Sequence, residues 1–145
     1  MRSRTLRTVV LALAVAVLLV GCGGSDNNAD NANSGPAGLP TIPEKSWVDQ
    51  TGKKKVVVDT RDNVYVPENI IVSPGTEIVF ENTGRNPHNV IPAQKGDFEE
   101  IPVSKLQPKD SASITLDSEG EIPFYCSLHG TPKAGMKGRI KVSKG

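Results

Sequence analysis

The sequence predicts an all-β chain, folded as a Greek-key β-sandwich or barrel of about seven or eight short strands. From about residue 50 onward, stretches rich in Val, Ile and Thr are separated by Gly, Pro, Asn and Asp, the punctuation of turns between strands. Within the stretches apolar and polar residues alternate, which puts one face of each strand on a core. No window has the apolar spacing of an amphipathic helix.

The elements follow in order. Residues 55–59 (Lys-Val-Val-Val-Asp) form a strand candidate and residues 69–73 another. Pro74-Gly75 turns the chain into residues 76–81, where Ile78 and Phe80 share a face. Asn82-Thr83-Gly84 closes that strand, and the next is expected to start at His88 and run to Ile91. In residues 111–116, Ala112, Ile114 and Leu116 point one way and the hydroxyls the other. Ile122, Phe124 and Cys126 alternate in the same fashion, as do Ile140 and Val142. Aromatic residues are only 4% of the chain, so Phe80, Phe124 and the many Val and Ile must fill the core. Periodicity predicts the class and leaves the strand order open.

At 145 residues the chain has room for one domain and little else. Arg2, Arg4 and Arg7 precede an unbroken apolar run of 12 residues, 9–20. A finished membrane-spanning helix needs about 20 residues, so the run suits the apolar region of a secretory signal peptide. It ends in Leu19-Val20-Gly21-Cys22, which resembles the lipobox of bacterial lipoproteins. That resemblance implies cleavage before Cys22 and a diacylglycerol on its sulfur; an uncleaved anchor with an incidental Cys22 is the alternative. Residues 23 to about 45 carry almost no large apolar side chains and bury too little surface to offset the entropy of ordering them. The expected organisation is a signal peptide at 1–21, lipidated Cys22 with a flexible tether through 48, and a folded domain at 49–145. Either reading of the leader exports the domain and holds it at a bacterial membrane, on the extracytoplasmic face.

Charge excludes one class of partner. The chain carries 17 basic and 16 acidic residues; without the three leader arginines, 14 face 16, a formal net of −2. Such a balance lacks the clustered basic face of a nucleic-acid binder. The run Lys53, Lys54, Lys55 reads as the solvated start of a strand.

Cysteine arithmetic points to chemistry. If Cys22 carries lipid, Cys126 has no intramolecular partner, and an unpaired thiol in an oxidising compartment needs an explanation. Beyond the leader the chain has two histidines, His88 and His129, and one methionine, Met136. Taken singly, His88 suits a surface turn, Cys126 a small buried hydrophobe, His129 an exposed loop and Met136 a gap-filler. Taken together they match the blue-copper donor set of two imidazoles, a thiolate and a weak axial thioether. Cys126, His129 and Met136 follow the strand ending at Tyr125 and are expected in one end loop, with His88 coming from another strand. Methionine is a poor zinc ligand, which argues against a structural zinc site.

The run Asn82-Thr83-Gly84-Arg85-Asn86-Pro87-His88-Asn89-Val90 resembles the first-histidine motif of plastocyanins and related small cupredoxins. Tyr125-Cys126-Ser127-Leu128-His129, followed by Gly135-Met136-Lys137-Gly138, resembles their copper loop. Val66-Pro67-Glu68, leading into Val72-Ser73-Pro74-Gly75-Thr76, is similar to the family's early strand and turn. The likeness spans about residue 55 to 143. It implies a cupredoxin-like fold and one type 1 copper ion held by His88, Cys126, His129 and, axially, Met136. It also implies that Asn89 ties its strand to the copper loop near Ser127. Tyr125 would offer a second electron route, and Leu128, Pro132, Ala134 and Pro87 an apolar patch around the later histidine. Asp97, Glu99 and Glu100 are either an acidic docking face or a solvated loop. Two departures stand out: residues 130–135 make the copper loop longer than in plastocyanin or amicyanin, and Leu128 replaces the usual proline.

The function expected is one-electron transfer between redox proteins at the membrane, with no small-molecule substrate and no enzymatic activity. Two histidines cannot supply the additional catalytic copper centre of a nitrite reductase or multicopper oxidase. A copper delivery or scavenging protein using the same ligands remains an alternative, as does a metal-free interaction module on a similar sandwich.

Overall fold

The computed structural model describes residues 36 and 38–144. The expected signal peptide, Cys22 and the first part of the tether lie outside the described residues. Nine strands run in chain order among the described residues: β1 (Val48–Asp49), β2 (Lys55–Arg61), β3 (Val64–Val66), β4 (Asn69–Val72), β5 (Thr76–Asn82), β6 (Ile91–Pro92), β7 (Ser111–Leu116), β8 (Gly120–Thr131) and β9 (Ala134–Val142). Two single-turn 3-10 helices, Glu44–Ser46 and Val103–Lys105, interrupt them. β1, β4, β9, β8 and β6 form one sheet in that order, and β3, β2, β5 and β7 form the other. β4 pairs with β9 and β2 with β5 in parallel, across long sequence separations. This two-sheet, all-β architecture is the sandwich that the alternation predicts.

The inward positions are the ones the pattern selects. In β2, Val56, Val58 and Thr60 are buried while Lys55, Val57 and Arg61 are exposed. β5 lies between two neighbours, and Ile78, Phe80 and even the outward Val79 are buried. In β7, Ile114 and Leu116 are buried beside the half-buried Ala112. Between the sheets Tyr65, Phe80 and Phe124 meet edge to face, with ring centroids 4.9 to 5.9 Å apart. That geometry sets the positive edge of one ring against the negative face of the next. With so few aromatics, this trio is the centre around which the Val and Ile residues close.

Three expectations change. The strand expected from His88 to Ile91 reduces to Ile91–Pro92; His88 and Asn89 lie in a crossover, and Val90 makes only an isolated bridge to Ile101. The chain is passing there from the sheet containing β5 to the one containing β6, and no continuous ladder follows a segment between sheets. Next, Cys126 and His129 belong to β8 and Met136 to β9, so the expected loop is largely a β-hairpin. Finally, part of the stretch assigned to the tether is joined to the domain. β1 pairs in parallel with β4, and Arg139 Nη2 donates to the Pro40 carbonyl at 2.7 Å. The same guanidinium pairs with Glu121 at 2.5 Å and is 7% exposed, so it is a buried charge with its partner in place.

Replacing Phe80 by Ala should remove two of the three ring contacts and leave a cavity. Urea unfolding of the metal-free protein is expected to lose about 3–5 kcal/mol of stability.

Candidate metal centre

The site is built on a break in the β8–β9 ladder. Pairing runs from Gly120 opposite Val142 to Tyr125 opposite Lys137, shifts, and resumes with Gly130 opposite Gly135 and Thr131 opposite Ala134. Cys126, Ser127, Leu128 and His129 on β8 therefore bulge out opposite the single residue Met136 on β9. A bulge re-aims side chains that a regular strand would alternate. Here it turns both Cys126 and His129, three positions apart, to the same place.

Two glycines make the hairpin beyond the bulge possible. A Cβ on Gly130 would lie 2.5 Å from the Met136 backbone nitrogen, closer than any side-chain carbon approaches. Gly135 has φ +76°, and a Cβ there would meet the His129 carbonyl oxygen at 2.5 Å; only glycine combines that backbone with that contact. Thr131 closes the turn, its hydroxyl accepting the amides of Lys133 and Ala134 at 3.3 and 3.2 Å.

The third residue of the cluster arrives from the crossover. His88 is fully buried, and its Nδ1 lies 3.9 Å from Cys126 Sγ; His129 Nδ1 lies 3.5 Å from the same sulfur. The three donor atoms are all within 4.8 Å of one another, and the two imidazole rings stand 4.9 Å apart at 60°. Met136 is 1% exposed and packs in the same buried cluster as Cys126. His129 is partly exposed and Leu128 beside it is 49% exposed.

Hydrogen bonds fix the crossover against the bulge. Asn89 Nδ2 donates to Ser127 Oγ at 2.9 Å, and the Ser127 amide donates to Asn89 Oδ1 at 2.9 Å. The His88 amide donates to the Leu106 carbonyl at 3.1 Å. Tyr65 Oη donates to the Asn89 carbonyl at 2.6 Å. Burial, and next the nearby Cys126, push the Tyr65 phenol well above its ordinary range, so it stays protonated and donates.

These residues fit a soft metal ion. Burial, followed by the neighbouring His129, holds His88 below the ordinary histidine value, so near neutral pH its ring is uncharged and offers a lone pair. Its Nε2 is buried without a hydrogen-bond partner, which leaves Nδ1, turned toward the thiol, as the ring's functional end. One thiol and two imidazoles select copper or zinc over magnesium or calcium.

The other expected residues differ in exposure. Tyr125 lines a side groove with Ile91, Pro92 and Phe98. Pro87, Leu128 and Ala134 are exposed and Pro132 is half-buried; Glu99 and Glu100 are exposed in their loop. Sequence reasoning passed over Tyr65 and named Gly130 and Gly135 only as loop residues, without the backbone contacts that require glycine there. A glycine pair flanking a predicted ligand loop was a usable signal, but the Tyr65 contact, spanning 24 positions, left none.

The model of the plastocyanin/azurin family of copper-binding proteins matches residues 52–143. The chain belongs to this family. Pea (Pisum sativum) chloroplastic plastocyanin is 37% identical over 92 residues, covering 54% of this chain and 51% of that protein. Plastocyanin of Mercurialis perennis is 34% identical over 98 residues, 59% of this chain and 93% of the relative. The chain thus spans about half the length of the pea protein and nearly all of the other. Among solved structures, amicyanin of Paracoccus versutus superposes with a TM-score of 0.51 at 22% identity, covering 61% of this chain and 80% of that one. A copper-containing nitrite reductase of Thermus scotoductus gives 0.54 at 21% identity, covering 70% of this chain but 29% of the reductase. At such identities the structures establish a common cupredoxin fold. Family membership together with the His-Cys-His cluster makes copper this domain's metal.

Replacing Gly130 by Ala drives a methyl group into the Met136 backbone. An unfolding titration should show a loss of about 1–3 kcal/mol, with amide shifts concentrated in residues 126–136.

Proposed function

We propose that this chain is a membrane-tethered one-electron carrier in which His88, Cys126, His129 and Met136 would hold one type 1 copper ion. The observation that carries the reading is the convergence of one thiol sulfur and two imidazole nitrogens within 4.8 Å. Copper bound there would cycle between Cu(II) and Cu(I), gaining or losing one electron.

The chain's own residues supply what such a carrier needs. Cys126, His88 and Met136 are at most 1% exposed, so the protein excludes water and holds the donors in a polarisable, apolar surrounding. The Asn89–Ser127 pair and the glycine-dependent hairpin keep the donor atoms in place, and such supports orient ligands and tune the metal. His129, partly exposed beside Leu128, offers a short route from the buried site to a docked partner, and Tyr125 a second one. The partners in this reading are redox proteins at the membrane. Lipid on Cys22 would restrict the domain to that surface and raise its effective concentration there. Burial of these donors also favours retention of the metal over delivery to another protein.

Adding Cu(II) to the metal-free protein should produce an intense visible thiolate-to-copper band that Cys126→Ser abolishes; an unchanged spectrum in that variant defeats the ligand assignment. Met136→Leu should keep the colour and raise the reduction potential, because a weaker axial donor disfavours the higher oxidation state. Rapid loss of the colour to a chelator would favour copper delivery over electron transfer. In cells, Cys22→Ala should abolish incorporation of labelled fatty acid into the protein.

A further inference from the structure

Tyr65 is the one member of the central aromatic trio with a polar atom. Phe80 and Phe124 fill the same space without one, and Tyr65 is only 2% exposed. A buried hydroxyl is unfavourable unless it is hydrogen-bonded, so tyrosine at a position phenylalanine would fill calls for a reason. The reason lies at the far end of the ring, where Oη donates to the Asn89 carbonyl at 2.6 Å.

The carbonyl belongs to a segment that no strand ladder supports. His88 and Asn89 lie in no strand. Their surroundings tie the backbone one group at a time: the His88 amide to Leu106, the Asn89 carbonyl to Tyr65, and Val90 to Ile101 in both directions. Asn89 also carries the side chain that makes both bonds to Ser127, next to Cys126. A shift of the Asn89 peptide therefore moves the His88 ring and loosens the Ser127 clamp together.

We propose that Tyr65 is a positioning residue for the metal centre, its hydroxyl standing in for the missing ladder partner of the His88–Asn89 segment. Edge strand β3 is thereby connected, through one hydrogen bond, to a site on the other sheet. The inference rests on the copper reading only for its effect on the metal; its effect on the backbone stands independently.

The test is Tyr65→Phe in the chain from Gly23 to Gly145, which keeps the ring and removes one oxygen. Hydrogen exchange of the metal-free protein is read at Ser127 and, as a control, at Val58 in the centre of β2. The Ser127 amide should exchange about tenfold faster than in the unmodified chain, the size of effect one lost buried hydrogen bond produces, with Val58 unchanged. In the copper-loaded protein the variant should stay coloured but show an altered copper hyperfine splitting, and should lose copper to a chelator several-fold faster. Equal exchange at Ser127, or a uniform rise at Ser127 and Val58 alike, would mean that Tyr65 only fills the core and would overturn the proposal. If the unmodified chain takes up no copper, the ligand reading fails, and the exchange at Ser127 still decides the role of Tyr65.

Discussion

Two hydrogen bonds of 2.9 Å between the Asn89 side chain and Ser127 join parts of the chain 38 positions apart. The residue before Asn89 is His88 and the residue before Ser127 is Cys126, so this clamp sets the distance between an imidazole and a thiol. Neither group is otherwise placed by a regular ladder. His88 is in a crossover between sheets, and Cys126 opens a bulge at which the β8–β9 pairing has lost register. In a sandwich with regular strands on both sides, the site sits where regularity stops.

Regularity elsewhere makes that break tolerable. The trio of Tyr65, Phe80 and Phe124 and the parallel pairings of β2 with β5 and β4 with β9 hold the scaffold. A bulge leaves residues without ladder partners, and the surrounding structure must over-determine their positions if they are to stay. Close backbone contact at Gly130 and Gly135 does so on one side, and the crossover's individual hydrogen bonds do so on the other. Cupredoxin chemistry needs donors that move little as an electron arrives, and supports of this kind limit their motion.

Burial and exposure divide the roles of the two histidines. His88 is fully buried and held neutral by desolvation, while His129 is partly exposed beside Leu128. The first stabilises the site and the second opens it to the surface. The loop that is long by comparison with plastocyanin resolves into a hairpin closed by Thr131. Its extra residues are therefore ordered as strand and turn next to the bulge.

Alternation at period two made Val56, Val58, Ile78, Phe80, Ile114, Leu116 and Phe124 legible as core, because burial on a pleated sheet follows from position alone. The chemistry of the candidate donors was equally legible: with Cys126 as the one cysteine of the folded part, two imidazoles and one thioether, residue type limits what they bind wherever they sit. Two-residue strands such as β1 and β6 were not legible, since alternation needs length to appear. Nor was the order of strands, which depends on pairings between distant segments. The sequence by itself determined the class of fold and the identity of the candidate donor groups. Only tertiary structure decided that His88 leaves its ladder, that the ligand loop is a bulged hairpin, and that a core tyrosine reaches the Asn89 carbonyl. Each of these arises from contacts between residues far apart in the chain, which local pattern does not encode.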